Sequence, residues 1–334
     1  MKIFITGIAG FIGFHLAKRL QSQDISVSGC DILSPYYSVR LKTLRKITLE
    51  KQGISILPLD ITNLEAMETH FQKHTYDILI HLAAQPGVRY SVQNPRAYVQ
   101  TNFIGFFHIL EICKKYPTMR LIYASSSSVY GKNAKIPFSE TDMTDSPTNM
   151  YAVTKKSNEL LAHAYHHLYK IPVTGLRFFT VYGPWGRPDM AYYSFTESIL
   201  QGNIIPLYSL GKMERDFTYI EDIITGILQV ISKLPGNAEI INLGNQNPES
   251  VQRMIEILEA LLQKPAVIQH MPAPLEDVFI TYADGTHSTD ILSFKPTTTL
   301  YEGLSHFVSW YLSYRNREKN ASGSAAMISE AMTQ

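Results

Sequence analysis

Cysteine is scarce. Only Cys30 and Cys113 occur in 334 residues, too few for a disulfide framework, so a reducing cytoplasm is the expected setting. Charge of one sign is missing too. Lys and Arg number 30 against 29 Asp and Glu, a formal net charge of +1. That balance gives no footing for a nucleic-acid or membrane-surface partner. No apolar run reaches the ~18–20 residues of a membrane span. The opening "MKIFITGIAG" passes from a short apolar run into a glycine turn, where a leader would continue to a small-residue cleavage site. It reads as a strand of the fold. The length suits one large α/β unit or two domains sharing a cleft.

What is present is a rhythm. "KIFIT", "ISVSGCD", "ISILPLD", "YDILIHLAA", "RLIYASS" and "VTGLRFF" read as buried parallel strands. Between them, "FIGFHLAKRLQSQ", "NLEAMETHFQKH", "AYVQTNFIGFFHILEICKKY" and "YAVTKKSNELLAHAYHHLYK" carry apolar positions at helical spacing. This alternation predicts a doubly wound parallel α/β sheet with right-handed crossovers. After Tyr182 the rhythm breaks at Pro184, Pro188 and Pro206, and "EIINLG" supplies one more core strand. The expected division is a dinucleotide-binding domain at 1–182, its sheet completed by a segment near 215–245. A smaller, interleaved substrate domain takes 183–214 and 246–315, and 316–334 reads as a small, polar, disordered tail.

"TGIAGFIG" places Gly7, Gly10 and Gly13 between the first strand and the first helix. Such glycines permit a tight turn and let a pyrophosphate approach backbone N–H groups at a helix N-terminus. Asp31 ends the second strand, near the ~20-residue offset of a carboxylate that holds an adenosine ribose. That carboxylate repels a 2′-phosphate, so NAD is expected over NADP. "LDIT" ends the third strand where an adenine lies, and "HLAAQ" ends the fourth under the nicotinamide half. His81, at that strand end, reads as a packed, hydrogen-bonded residue.

"MYAVTKK" contributes Tyr151 and Lys155, on one face if the helix begins by Tyr151. A phenol with a pKa near 10 is a poor base at neutral pH. A neighbouring ammonium and the positive nicotinamide ring favour its phenolate. The four serines of "LIYASSSSVYG" fall where the fifth strand meets the carboxyl edge, where open α/β sheets bind ligands. Ser126 is placed to share a substrate hydroxyl proton with Tyr151. Ser127 and Ser128 remain for other substrate oxygens, and a plain polar loop stays an alternative for Ser125. The sum is hydride removal from a secondary alcohol.

With "SSSSVYG", "YAVTKKSNE", "RFFTVYGPWGRPDM" and "GKMERDFTYIEDI" beside the glycine turn, the chain resembles the UDP-glucuronate 4-epimerases, extended short-chain dehydrogenase/reductases, from Met1 to about Arg315. The resemblance implies a Rossmann domain and an NAD-dependent isomerase that oxidises C4 of a UDP-sugar, lets the 4-keto ring turn over, and returns hydride to the other face. It places catalysis on Tyr151, Lys155 and Ser126. It places NAD contacts at Gly7, Gly10, Phe11, Ile12, Gly13, Asp31, Asp60, Ile61, Leu82, Ala83, Ala84, Asn102, Tyr151, Lys155 and Phe178. Arg89, Ser126, Ser127, Ser128, Thr180, Arg187, Arg215 and Asp277 are implied substrate contacts. Arg215 meets the diphosphate, which a guanidinium suits. The chain departs from the family pattern at Ile32 and at Leu275-Glu276.

Related dehydratases and decarboxylases carry acidic residues beside the catalytic hydroxyl, where this chain has Ser127-Ser128. An epimerase must also hold a 4-keto uronate against loss of CO₂. Thr180 and Arg187, with Ser127 and Ser128, form the expected carboxylate clamp. A UDP-glucose/UDP-galactose 4-epimerase and a non-catalytic NAD-binding sensor remain the alternatives. No metal is expected: His163, His166 and His167 lack acidic or cysteine company. The basic run "VRLKTLRK" reads as a solvated helix face. The stripe Phe103, Phe106, Phe107, Ile109, Leu110 is part core, and the resemblance implies a homodimer pairing its helix and that of Tyr151.

Overall fold

The computed structural model describes residues 1–132, 135–233, 236–272 and 279–331, with side chains to Arg317. Six strands lie among the described residues of 1–178: β1 (Lys2–Thr6), β2 (Ser26–Cys30), β3 (Ser55–Leu57), β4 (Ile78–His81), β5 (Arg120–Ser126) and β6 (Val173–Phe178). With Asn237–Leu243 they make one sheet, ordered Asn237–Leu243, β6, β5, β4, β1, β2, β3. Every pairing is parallel. This is the doubly wound Rossmann-type sheet that the strand–helix rhythm predicts.

Helices cover both faces, so the strands are apolar throughout rather than alternating. In β1, Ile3 and Ile5 join one buried cluster with Phe14 and Ile224, while Phe4 joins the other with Leu79, Phe106 and Ile109. Side-chain alternation at the strand period sends neighbours to opposite layers. The strand order reverses between β1 and β4. In open α/β sheets the crevice at such a switch point is where ligands bind.

The later chain builds small sheets beside this edge. Thr180–Tyr182 pairs with Phe217–Tyr219, and Ile204–Tyr208 with Val267–Met271. Glu214–Arg215 lies between Glu249–Ser250 and Ile280–Thr281. Asp216, fully buried, joins the pieces by accepting from the Thr218 hydroxyl and from the backbone N–H groups of Asn245, Gln246 and Ala283. Burial pushes its carboxyl pKa up, and those donors oppose the push.

The last helix, Leu300–Ala331, carries helical backbone into the stretch that composition suggests as a tail. Among the described residues no helix is long and apolar enough to cross a membrane.

Candidate active site

Register aligns the carboxyl ends. Thr6 pairs with both Cys30 and His81, His81 with Tyr123, and Ser126 with Phe178. Residues just past these ends therefore share one rim. Gly7 opens the turn after β1 at φ +72°, and a Cβ there would lie 2.7 Å from the Ala83 nitrogen. A Cβ on Gly13 would lie 2.3 Å from the Gly7 oxygen. Only glycine lets the turn, the helix Phe11–Gln21 and the Leu82–Ala84 segment close up this tightly.

That helix starts at Gly10 without a side-chain cap and with no acidic residue in its first turn. Its first N–H groups, including those of Phe11 and Ile12, are thus available to an anion. Asp31 accepts from Ala9 N at 3.0 Å and Leu33 N at 2.8 Å. Burial raises its pKa, while those bonds and the nearby Lys42 and Arg45 cations lower it. Asp60 turns its own loop by accepting from Thr62 N at 2.8 Å, and Ile61 is buried beside it. An uncapped helix start, a glycine cradle and a half-buried carboxylate fit a dinucleotide.

Asn102 lies in a π-helical turn, Val99–Ile104. Its side chain accepts from Gln85 N at 2.7 Å and donates to Gln85 O at 3.1 Å and to the Thr154 hydroxyl at 3.2 Å. It fixes the segment after β4 rather than presenting a free amide. His81 is buried and paired with the Thr6 hydroxyl at 2.8 Å, and burial drives its pKa down to about 3.

Tyr151 enters through the helix Met150–Tyr169, whose N-cap, Asn149, accepts from Ala152 N at 2.9 Å. One turn on, Lys155 is buried and donates to Ala124 O at 2.7 Å, its ammonium 5.8 Å from the Tyr151 ring centre. Burial lowers Lys155 to about 8, with Glu159 acting the other way. The Tyr151 phenol is raised by burial. A hydrogen bond with the Ser126 side chain and the field of Arg187 oppose the rise. The Lys155 ammonium stands 5.8 Å from the centre of the same ring.

Ser125 and Ser126 are the last residues of β5, and Ser127 and Ser128 begin a 3₁₀ turn. Ser125 lies inside the strand that "RLIYASS" predicts, and its hydroxyl donates to buried Glu159 at 2.6 Å. Ser126 Oγ accepts from Ser128 N and donates to the Ser128 hydroxyl, both at 3.2 Å, so it is oriented before substrate arrives. Arg187 donates from Nε and Nη2 to the two Asp189 oxygens at 3.1 and 3.0 Å. The Tyr36 hydroxyl donates to the same carboxylate at 3.1 Å.

Thr180 begins its short strand half-buried. Phe178 closes β6, 7% exposed, beside Ser126. Arg89 is exposed, with its guanidinium 5.0 Å from the Tyr208 ring centre. Arg215 bonds the carbonyls of Glu214 and Phe279 at 2.8 and 3.1 Å. Asp277 lies outside the described residues.

The basic run misleads: Lys42 and Arg45 are 6% and 0% exposed, not a solvated face. Leu41 and Leu49 lie on the same buried face of the helix Val39–Glu50, the one signal that the sequence carried. Lys42 donates to Ser34 O nearby, but three of the acceptors on Arg45, the carbonyls of Ala9, Trp185 and Gly186, come from distant segments that sequence reading could not bring together.

The NAD dependent epimerase/dehydratase profile matches residues 3–244. Protein CapI of Staphylococcus aureus is 44% identical over 331 residues, 94% of this chain and 99% of that one. UDP-glucuronate 4-epimerase 4 of Arabidopsis thaliana is 43% identical over 338 residues, 96% of this chain and 77% of that one. The crystal structure of UDP-glucuronic acid 4-epimerase from Bacillus cereus, with UDP-glucuronic acid and NAD, superposes at TM-score 0.87 and 34% identity. It covers 94% of this chain and 100% of that chain. Sequence motif, strand order and these likenesses agree: the chain belongs to the NAD dependent epimerase/dehydratase family.

Proposed function

We propose that the protein is an NAD-dependent epimerase that interconverts UDP-glucuronate and UDP-galacturonate at C4. The observation that carries this reading is geometric: Tyr151 and Lys155 stand on one helical turn, with Lys155 donating to Ala124 O at 2.7 Å, two residues before Ser126 ends its strand.

Tyr151 takes the proton of the C4 hydroxyl while Ser126 holds that oxygen in line. The glycine turn at 7–13, Asp31 and Lys155 would hold NAD, which when bound would supply the hydride acceptor and donor. Lys155, fixed by Ala124 O, holds a positive charge below the phenolate. After the 4-keto ring turns, Tyr151 returns its proton to the same oxygen, now with the opposite ring face presented. Atoms and electrons balance within the sugar, and the product is an isomer.

Arg187, with Thr180, Ser127 and Ser128, fixes the uronate carboxylate away from the geometry that releases CO₂. Arg89 and Arg215 meet the diphosphate. The UDP-glucose/UDP-galactose reaction is the second reading, and Arg187 favours the acid. Incubating the protein with each UDP-sugar and separating the products decides between them. Turnover of neither sugar removes both and leaves a sensor.

Residues 1–182 with 215–245 serve the cofactor, and 183–214 with 246–315 the sugar nucleotide. Buried free thiols at Cys30 and Cys113 accord with a cytoplasmic site of action. Phe107, Val153, Leu160 and Leu168 leave an apolar face exposed on the helices Gly105–Lys115 and Met150–Tyr169. A second copy covers it, giving a homodimer, and a monomeric mass by light scattering would remove that assignment.

A further inference from the structure

One buried cation ties the cofactor loop to the turn that presents Arg187. Arg45 is 0% exposed. Its Nη1 donates to Ala9 O, in the glycine turn, at 3.1 Å and to the Tyr37 hydroxyl at 2.7 Å. Its Nη2 donates to Trp185 O and, at 3.1 Å, to Gly186 O. Pro184 O accepts from His15 Nε2 at 2.9 Å. Three consecutive carbonyls leading into Arg187 are thus held by side chains of the helices Phe11–Gln21 and Val39–Glu50, which also frame the glycine turn.

The turn needs holding. Trp185 sits at φ +61°, a left-handed conformation that a bulky side chain adopts only when its surroundings enforce it. Its indole packs at 5.1 Å from Phe14 and 5.4 Å from Trp310. The four acceptors on Arg45 are all neutral oxygens. Burying a guanidinium for such partners is a poor way to add stability alone. Its planar fork, however, can span two neighbouring carbonyls on one side and the glycine turn on the other, which a lysine cannot.

We propose that Arg45 is a positioning residue for sugar-acid recognition: it locks the 184–186 turn so that Arg187 faces Tyr151, and through Ala9 it links that turn to the cofactor loop. The assignment rests on Arg187 being the carboxylate clamp. Its consequence is coupling. NAD in the glycine turn and a uronate at Arg187 tighten each other's binding by one common factor.

The test uses purified full-length protein with NAD: wild type, Arg45→Lys, Arg45→Met, Arg187→Ala and the double variant Arg45→Lys/Arg187→Ala. Titration gives the affinities for UDP-glucuronate, for UDP and for NAD. Arg45→Lys is expected to weaken UDP-glucuronate about tenfold, as loss of roughly one charged hydrogen bond implies, and to leave UDP within about threefold. The gain in UDP-glucuronate affinity on adding NAD shrinks in the same variant. With Arg187 already removed, Arg45→Lys costs nothing further on UDP-glucuronate, since contacting groups in one chain of action are not additive.

Additive losses, or equal losses for UDP and UDP-glucuronate, would overturn the assignment. Should Arg45→Met not fold, the lysine variant carries the cycle alone. A wild type that ignores UDP-glucuronate defeats the functional reading itself. A wild type that epimerises it while the losses stay additive defeats only the role of Arg45.

Discussion

Arg177 grips Glu159 with two hydrogen bonds, Nε to Oε1 at 2.8 Å and Nη2 to Oε2 at 2.9 Å, with both side chains nearly excluded from solvent. The pair joins β6 to the helix of Tyr151, and Ser125 donates to the same carboxylate. It braces the wall behind Ser126. Arg177→Met leaves the buried carboxylate with only the Ser125 hydroxyl and Lys156, 3.7 Å away, and is expected to cost about 3 kcal/mol. Arg177→Met with Glu159→Gln should recover much of that loss. Urea unfolding of both variants checks it, and equal midpoints would contradict it.

Tyr151→Phe removes the proton acceptor while keeping the ring beside Tyr98, 6.2 Å between centres. A fall in kcat of about 10²–10⁴ is expected, with UDP-glucuronate still bound. Single-turnover kinetics and a binding titration separate the two effects.

Arg187→Ala should weaken UDP-glucuronate by about 10–100-fold, the worth of charge-assisted hydrogen bonds at 1.5–3 kcal/mol. UDP-glucose should keep its KM. Because Arg187 also favours the Tyr151 phenolate, kcat falls on both sugars together. The KM ratio therefore reports the clamp, and an unchanged ratio rejects it.

His81 predicts an acid limit. Burial holds it neutral down to about pH 3 in the folded protein, against about 6.5 in the unfolded chain. Between those values the unfolded state binds the extra proton, so stability is lost as pH falls through that window. The loss is on the order of several kcal/mol. His81→Gln should flatten this dependence, which thermal unfolding at pH 7 and pH 4.5 measures.

Much of the site was legible because its signals are local. Gly7, Gly10 and Gly13 sit on one turn, and Tyr151 with Lys155 on one helical turn. β5, read as "RLIYASS", matches the observed Arg120–Ser126. What stayed hidden depends on contacts between distant segments. Arg45 looks solvated until Trp185 and Gly186 arrive beside it. The partner of Ser125, Glu159, lies 34 residues further along the chain. "ISILPLD" shortens to Ser55–Leu57 as an edge strand that pairs only with β2. The amide of Asn102, read as a cofactor contact, is held by the backbone of Gln85, 17 residues earlier.

The seventh strand of the main sheet, Asn237–Leu243, lies outside β6 yet is made long after it. During synthesis a ribosome releases the base, the serines and the glycine turn while one flank of β6 still shows unpaired backbone groups, an invitation to pair with other chains. A message truncated before that strand would yield fragments prone to clumping, not a slower catalyst.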